Sequence, residues 1–214
     1  MQWIEPIAEE YASLHTTALD EALQQIYDDT IANHPESGMM SSPVQGKFLE
    51  FISCMLQPRY ILEIGTFTGF SAICLAKGLQ DGGELHTIEL RDDDANRAWK
   101  NISLAGMDKK IHLHRGDAHT IIPELNYKWD FVFIDADKTS YITYYEEVLQ
   151  RLSERGHILA DNVLFHGQVL EEKIDGKNAK AIESFNKHIL KDQRTEQVFL
   201  TIRDGLLLLK KKSS

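Results

Sequence analysis

A chain of 214 residues, 43% hydrophobic and 26% charged, is long enough to bury one sizeable core and has the make-up of an ordinary globular domain. Its 23 basic and 33 acidic residues leave a formal charge of −10, which argues against a polyphosphate partner, nucleic acid included, unless basic groups cluster locally. The only basic run, Lys210-Lys211-Lys212, reads as a solvated tail.

Cys54 and Cys74 lie in apolar helical contexts with no CxxC partner, and read as buried thiols in a reducing compartment. The opening Met1-Gln2-Trp3-Ile4-Glu5-Pro6 has no basic stretch ahead of an apolar one, and no later apolar run approaches the roughly 18 residues of a membrane span. A cytoplasmic, non-membrane protein is the expectation.

Residues 14–34 read as one helix with Leu19, Leu23, Ile26, Tyr27 and Ile31 on a common face, ended by the breakers His34-Pro35-Glu36-Ser37-Gly38. Ser42 then caps a second helix with Pro43 at its first position, and Val44, Phe48, Phe51, Ile52 and Met55 form its expected buried stripe. From Arg59 onward strands and helices alternate. Strands are expected at 60–64, 84–90, 111–114, 131–134 and 157–160, and helices at 71–79, 92–105, 118–125 and 141–152. Asp92-Asp93-Asp94 suits the positive end of a helix dipole, with Ala95, Ala98, Trp99, Ile102 and Ala105 facing inward. A last helix at 178–190 precedes strands at 197–202 and 206–210, joined by the hairpin signal Arg203-Asp204-Gly205. This is a doubly wound α/β pattern with an antiparallel strand at its end. Residues 1–57 form cover helices and 58–214 the core of a single domain, 1–214.

Candidate chemistry gathers at strand ends. Phe131-Val132-Phe133-Ile134 is a strand buried on both faces that stops at Asp135-Ala136-Asp137-Lys138, and in open α/β sheets ligands bind at that edge. The first strand ends in Glu63-Ile64-Gly65-Thr66-Phe67-Thr68-Gly69-Phe70-Ser71, a turn whose glycines admit a ligand close to backbone at a helix start. It is neither GxGxxG nor a Walker A loop. Glu89, ending the next strand, suits both hydroxyls of a ribose, so the pair favours an adenosine ligand without phosphates. Arg115-Gly116-Asp117-Ala118 fits beside an adenine, and reads equally as a plain turn with an Asp cap. His112, His114 and His119 read as structural or surface groups, with no suitably spaced carboxylate or thiol. Asp161-Asn162, at the fifth strand's end, could converge with Asp135 on one point. Two carboxylates and an amide suit a hard dication, Mg²⁺ first, although Asp161-Asn162 alone would be read as an Asx turn.

The glycine turn, Phe133-Ile134-Asp135-Ala136-Asp137-Lys138 and Asp161-Asn162-Val163-Leu164-Phe165-His166-Gly167 closely resemble the cation-dependent S-adenosylmethionine O-methyltransferases, the caffeoyl-CoA and catechol group in its compact bacterial form. The likeness runs in order from about Ser37 to Lys211, including Phe185-Asn186 and Asp204-Gly205-Leu206. It implies a Rossmann-like class I fold, with a seven-stranded mostly parallel sheet. It also implies a homodimer acting on a small aromatic diol. By the same resemblance Asp135, Asp161 and Asn162 match the metal ligands, for Mg²⁺ or another dication such as Mn²⁺ or Ca²⁺, and Lys138 matches the general base. Glu63, Gly65, Thr66 and Ser71 match the loop around the cofactor's methionine part, and Ser41 a contact ahead of the first strand. Glu89 matches the ribose ligand, Ala118 the adenine contact, and Asp137 the contact to the amino group. Phe165-His166 stands where plant members usually carry Trp-Asn beside the substrate, which makes His166 a substrate contact. No basic N-terminal residues match those that hold a coenzyme A tail, so a free phenol or acid is the expected acceptor.

Three rival readings remain at this level. Asp135-Ala136-Asp137-Lys138-Thr139 also fits DxDxT of Mg²⁺-dependent phosphatases, though three strand-helix units precede it. The same fold could methylate a hydroxyuridine in tRNA, or bind the cofactor without catalysis. For self-association, the helix around 44–55, the face Tyr141-Tyr144-Tyr145 and the closing hairpin are the candidate surfaces.

Overall fold

The computed structural model describes residues 6–212, so the opening residues read above as lacking a leader lie almost entirely outside it. Three helices come first: α1 (Pro6–Leu14), α2 (Glu21–Asn33) and α3 (Pro43–Leu56). The single helix expected at 14–34 is broken at its front. Asp20 accepts from the Leu23 amide at 2.9 Å and caps α2 there, and α1 is a separate element. Ser42 caps α3 as expected, accepting from the Gln45 amide. The buried face of α3 differs from the expected stripe: Gln45, Gly46, Leu49 and Ser53 point inward, while Phe51 is 58% and Met55 81% exposed.

The rest alternates: β1 (Tyr60–Ile64), α4 (Phe70–Ala76), β2 (Glu84–Glu89), α5 (Asp92–Leu104), β3 (Ile111–Arg115), α6 (Ala118–Glu124), β4 (Trp129–Ile134), α7 (Tyr141–Arg151), β5 (Leu152–Asp161), α8 (Lys177–Lys191), β6 (Thr195–Leu200) and β7 (Leu206–Lys211). The sheet order is β3-β2-β1-β4-β5-β7-β6. β7 runs antiparallel to both neighbours, and the remaining pairs are parallel. The chain winds outward from β1 to β3, then returns to lay β4 beside β1, which creates the switch point where such sheets open a crevice.

Alternation along the strands feeds two cores. Leu62, Ile64, Val132 and Ile134 meet Tyr141, Tyr145, Val148 and Phe185 on one face. Ile61, Phe131 and Phe133 meet Leu23, Leu49, Ile73 and Ile102 on the other. Tyr141, Tyr144 and Tyr145 are all buried, so they build core rather than a docking surface. Trp99 is 46% exposed and Asp94 takes an inward position instead, reached by His34 and Arg91. Cys74 is buried and Cys54 exposed, so only one of the two thiols follows expectation. Lys210 and Lys211 belong to β7, where Lys211 Nζ donates to the Leu152 carbonyl at 2.6 Å; they are not a loose tail. No helix of the described residues is long and apolar enough to cross a membrane.

The tips of β1 and β4 fit so tightly that only glycine serves at residue 65. Its φ is +97°, and a Cβ there would lie 1.9 Å from the Asp135 carbonyl oxygen. Gly65→Ala is therefore expected to cost about 3 kcal/mol or more, read as a lower midpoint in urea unfolding at unchanged slope.

Candidate active site

The β1–β4 crevice opens into a cavity of about 1070 Å³. Ser41, Gly65, Thr66, Ser71, Glu89, Ala118, Asp135, Asp137, Lys138, Asp161, Asn162 and His166 all line it. Glu63, the remaining expected site residue, lies beneath the floor with no exposure.

Each wall follows from a strand end. At the tip of β2, Glu89 accepts from the Phe67 amide at 2.7 Å and the Arg91 amide at 2.9 Å, so backbone orients its carboxylate beside the glycine turn. At the tip of β4, Tyr144 donates to Asp137 at 2.7 Å. Burial pushes the Asp137 carboxyl up, but the Ser140, Tyr144 and Thr139 hydroxyls outweigh it and hold the group below its ordinary range. An anion fixed in this way suits a cationic ligand group.

Lys138 ties the fourth and fifth strand ends together. Its ammonium donates to Asp135 Oδ1 at 2.9 Å, to Asn162 Oδ1 at 2.8 Å and to the Tyr141 hydroxyl at 2.7 Å. Asp135 and Asn162 therefore present oxygens to one cation. Asp161 sits directly behind: its Oδ1 accepts from the Asn162 amide at 2.6 Å and its Oδ2 from Gln45 Nε2 at 2.5 Å. Burial, then the Asp135 charge, push Asp161 up to about 7. Burial alone would lower Lys138, but Asp135 and Tyr141 outweigh it and hold the ammonium well above the ordinary lysine range. Asp135 and Asn162 bring two oxygens to one cationic centre, with the Asp161 carboxylate next behind them, and oxygens of this kind fit a hard dication.

The family model for O-methyltransferases matches residues 13–212. The chain belongs to the O-methyltransferase family. It is 34% identical to a probable caffeoyl-CoA O-methyltransferase of Dictyostelium discoideum over 94% of this chain and 90% of that protein. It is 39% identical to a catechol O-methyltransferase of Niastella koreensis over 71% and 72%. Among solved structures, the SAH-bound methyltransferase PaMTH1 of Podospora anserina superposes with a TM-score of 0.91 at 25% identity, covering 100% of this chain and 98% of that one. An O-methyltransferase of Bacillus cereus in complex with SAH gives 0.88 at 30% identity over 96% and 97%.

This O-methyltransferase concentrates backbone strain in the cavity. Phe67, Asn162, Phe165, His166 and Arg203 all have positive φ, and all line it. Asp204 supports two of them, accepting from the His166 amide at 2.6 Å and from Asn162 Nδ2 at 3.2 Å. The sequence reading missed Gln45, Tyr141, Asp204 and Arg203 as parts of the site. Gln45 follows Ser42 by three positions, the signature of a capping box. Its side chain instead reaches Asp161 while Arg203 donates to its oxygen at 3.1 Å.

Glu63 accepts from the Thr87 hydroxyl at 2.5 Å. Burial raises it to about 8, against the Ser71 and Thr87 hydroxyls that favour its ionised form. A folded-state value above the unfolded one makes its stability contribution complete below about pH 4.5 and progressively lost as pH rises through about 8. Between pH 5 and 8, Glu63→Gln should therefore lose less thermal stability than the parent chain, measured by calorimetric melting of both at each pH.

Proposed function

We propose that this chain transfers a methyl group from S-adenosylmethionine to one hydroxyl of a vicinal dihydroxy aromatic small molecule, with Mg²⁺, or Mn²⁺ or Ca²⁺ in its place, as cofactor. The carrying observation is the meeting of Asp135, Asn162 and Lys138 at one point, with Asp161 behind them, at the rim of the cavity that Gly65 and Glu89 share. The relatives named for caffeoyl-CoA and catechol methylation and the SAH-bound neighbours support the same reading.

In this reading Glu89 takes the ribose hydroxyls, Ala118 packs on the adenine, and the anionic Asp137 binds the cofactor's ammonium. Ser41, Glu63, Gly65, Thr66 and Ser71 surround the methionine part. Asp135, Asp161 and Asn162 would hold the dication, which when bound would supply Lewis acidity to the acceptor's hydroxyl pair. His166 and Phe165 flank the acceptor. The acceptor oxygen attacks the sulfonium methyl in line, the carbon–sulfur bond breaks, and the hydroxyl proton passes to Lys138 Nζ. Lys138 must be neutral to accept it, and its ammonium, held now by the Asp135 and Asn162 oxygens, would lose those partners wherever they held a dication instead. Holding donor and acceptor in register supplies much of the acceleration.

Neither rival activity gains support. The phosphatase reading leaves the glycine turn and Glu89 without a role, and the charge of −10 disfavours tRNA. An intracellular, cytoplasmic site of action suits the unpaired thiols Cys54 and Cys74.

Methyl transfer from labelled cofactor to a panel of free catechols, coenzyme A esters and mono-phenols should favour free catechols and fall to background with chelator. Chelator-insensitive transfer would overturn the metal's role. Lys138→Met should slow turnover about 100-fold or more while leaving SAH affinity within about threefold; unchanged turnover would remove Lys138 from the chemistry.

We also propose a homodimer. Ile7, Tyr11 and Leu14 on α1 and Phe51 and Met55 on α3 expose large apolar side chains, and α1 packs beside α3. Light scattering should give twice the chain mass for the parent and a shift towards one for Phe51→Lys/Met55→Lys. A parent that scatters as one chain would dismiss the dimer.

A further inference from the structure

Outside the cavity, two groups of described residues bring imidazole nitrogens and carboxylate oxygens within reach of a common ion: Glu146-His188-Asp192 and Glu84-His86-His112. The first already has its cation. Arg194 donates to Glu146 at 2.7 Å and to Asp192 at 2.5 Å, and the guanidinium neutralises both. The second has none: among the described residues no lysine or arginine reaches Glu84.

Strand geometry builds the second group. Glu84 opens β2, and His86, two residues on, points to the same face. In the parallel register His86 lies opposite His112 of β3, which is the edge strand of the sheet. Glu84 Oε2 is 3.4 Å from His86 Nε2 and 3.9 Å from His112 Nε2, and all three donor atoms lie within 4.8 Å of one another. Ligand atoms about 2.0–2.2 Å from a tetrahedral metal stand roughly 3.3 Å apart. The Glu84–His86 pair already has that spacing. His112, 44% exposed in its side chain, stacks on the His86 ring at 4.9 Å between centroids, and its ring turns out of that stack to bring Nε2 onto the same ion.

The surroundings match those of a metal-bound imidazole. The other nitrogen of His86, Nδ1, is 2.9 Å from His114 Nε2, the outer hydrogen bond that fixes ring orientation in such sites. Tyr127 and Trp129 pack against the His86 ring with centroids 4.4 and 5.7 Å away, and the Tyr127 hydroxyl donates to Glu84 Oε2 at 3.4 Å, an outer hydrogen bond on the carboxylate. Nitrogen donors distinguish this group from the all-oxygen set at Asp135, Asp161 and Asn162, and select a softer ion than Mg²⁺.

We propose that Glu84, His86 and His112 form a second metal site, apart from the catalytic cavity, that takes one zinc-class dication with water in the fourth position. The ion straps edge strand β3 to β2 and stabilises the fold by mass action.

Zn²⁺ titrated calorimetrically into the chelator-stripped full chain, in excess Mg²⁺, tests the site. One zinc equivalent is expected that His112→Ala and Glu84→Gln each weaken about tenfold or more, with SAH binding unchanged in both variants. The substitution at Glu84 deletes a ligand while leaving the rings around His86 in place, so it stands as an independent arm should His112→Ala perturb β3. The proposal is overturned if no zinc binds, if Mg²⁺ displaces all of it, or if the folded variants bind it as tightly as the parent.

Discussion

The close passage of β1 past β4 governs this molecule. Gly65 approaches the Asp135 carbonyl more closely than any side chain would permit, and the Asp135 amide donates to the Ile64 carbonyl at 2.9 Å. Holding these two tips together sets the glycine turn beside the first carboxylate of β4. The turn forms one side of the cavity, and the carboxylate begins the side where the Lys138 ammonium sits. Because the contact is backbone to backbone, the spacing between the two sides is set by the sheet rather than by flexible side chains.

From that fixed edge the electrostatics follow by layers. Nearest the cavity, Lys138 answers Asp135 and Asn162 with one ammonium. Behind it Asp161 is fully enclosed, and its charge is made tolerable by Gln45 and the Asn162 amide. Tyr141 closes the arrangement by donating to the Asp161 carbonyl at 2.9 Å while its ring packs edge-on against Phe185 in the core. The polar centre is thus continuous with the hydrophobic packing of α7 and α8, which limits how far its oxygens can drift.

Sheet content and strand ends were legible because buried parallel strands write short, uninterrupted apolar runs that stop at chemistry-bearing residues, as Phe131–Ile134 does before Asp135. Gly65, Asp135 and Asp161, which follow such runs, line the cavity for that reason, whereas Ser41 and His166 follow none and were named only through the family resemblance. The cover helices were harder. Asp20 within a helical-looking stretch marks a start, not an interior residue, and periodicity alone does not reveal it. On α3 the hydrophobic stripe was visible, but its direction was not: small Gly46 and polar Gln45 face the core because α4 comes close and Asp161 needs a donor. Three histidines on β3 and α6 looked unsupported along the chain. The carboxylate and fourth imidazole that approach two of them come from β2, brought alongside only by strand pairing.

Gln45 carries one more consequence. It sits on a helix that a chain-order reading treats as packaging, ahead of the first strand of the sheet, yet it supplies a hydrogen bond to an enclosed carboxylate more than a hundred positions later. Packaging and machinery are therefore not separable parts. A trimmed protein that starts at β1 would retain every strand and still lose the donor that keeps Asp161 in place, so anyone transplanting this sheet as a scaffold has to bring α3 with it.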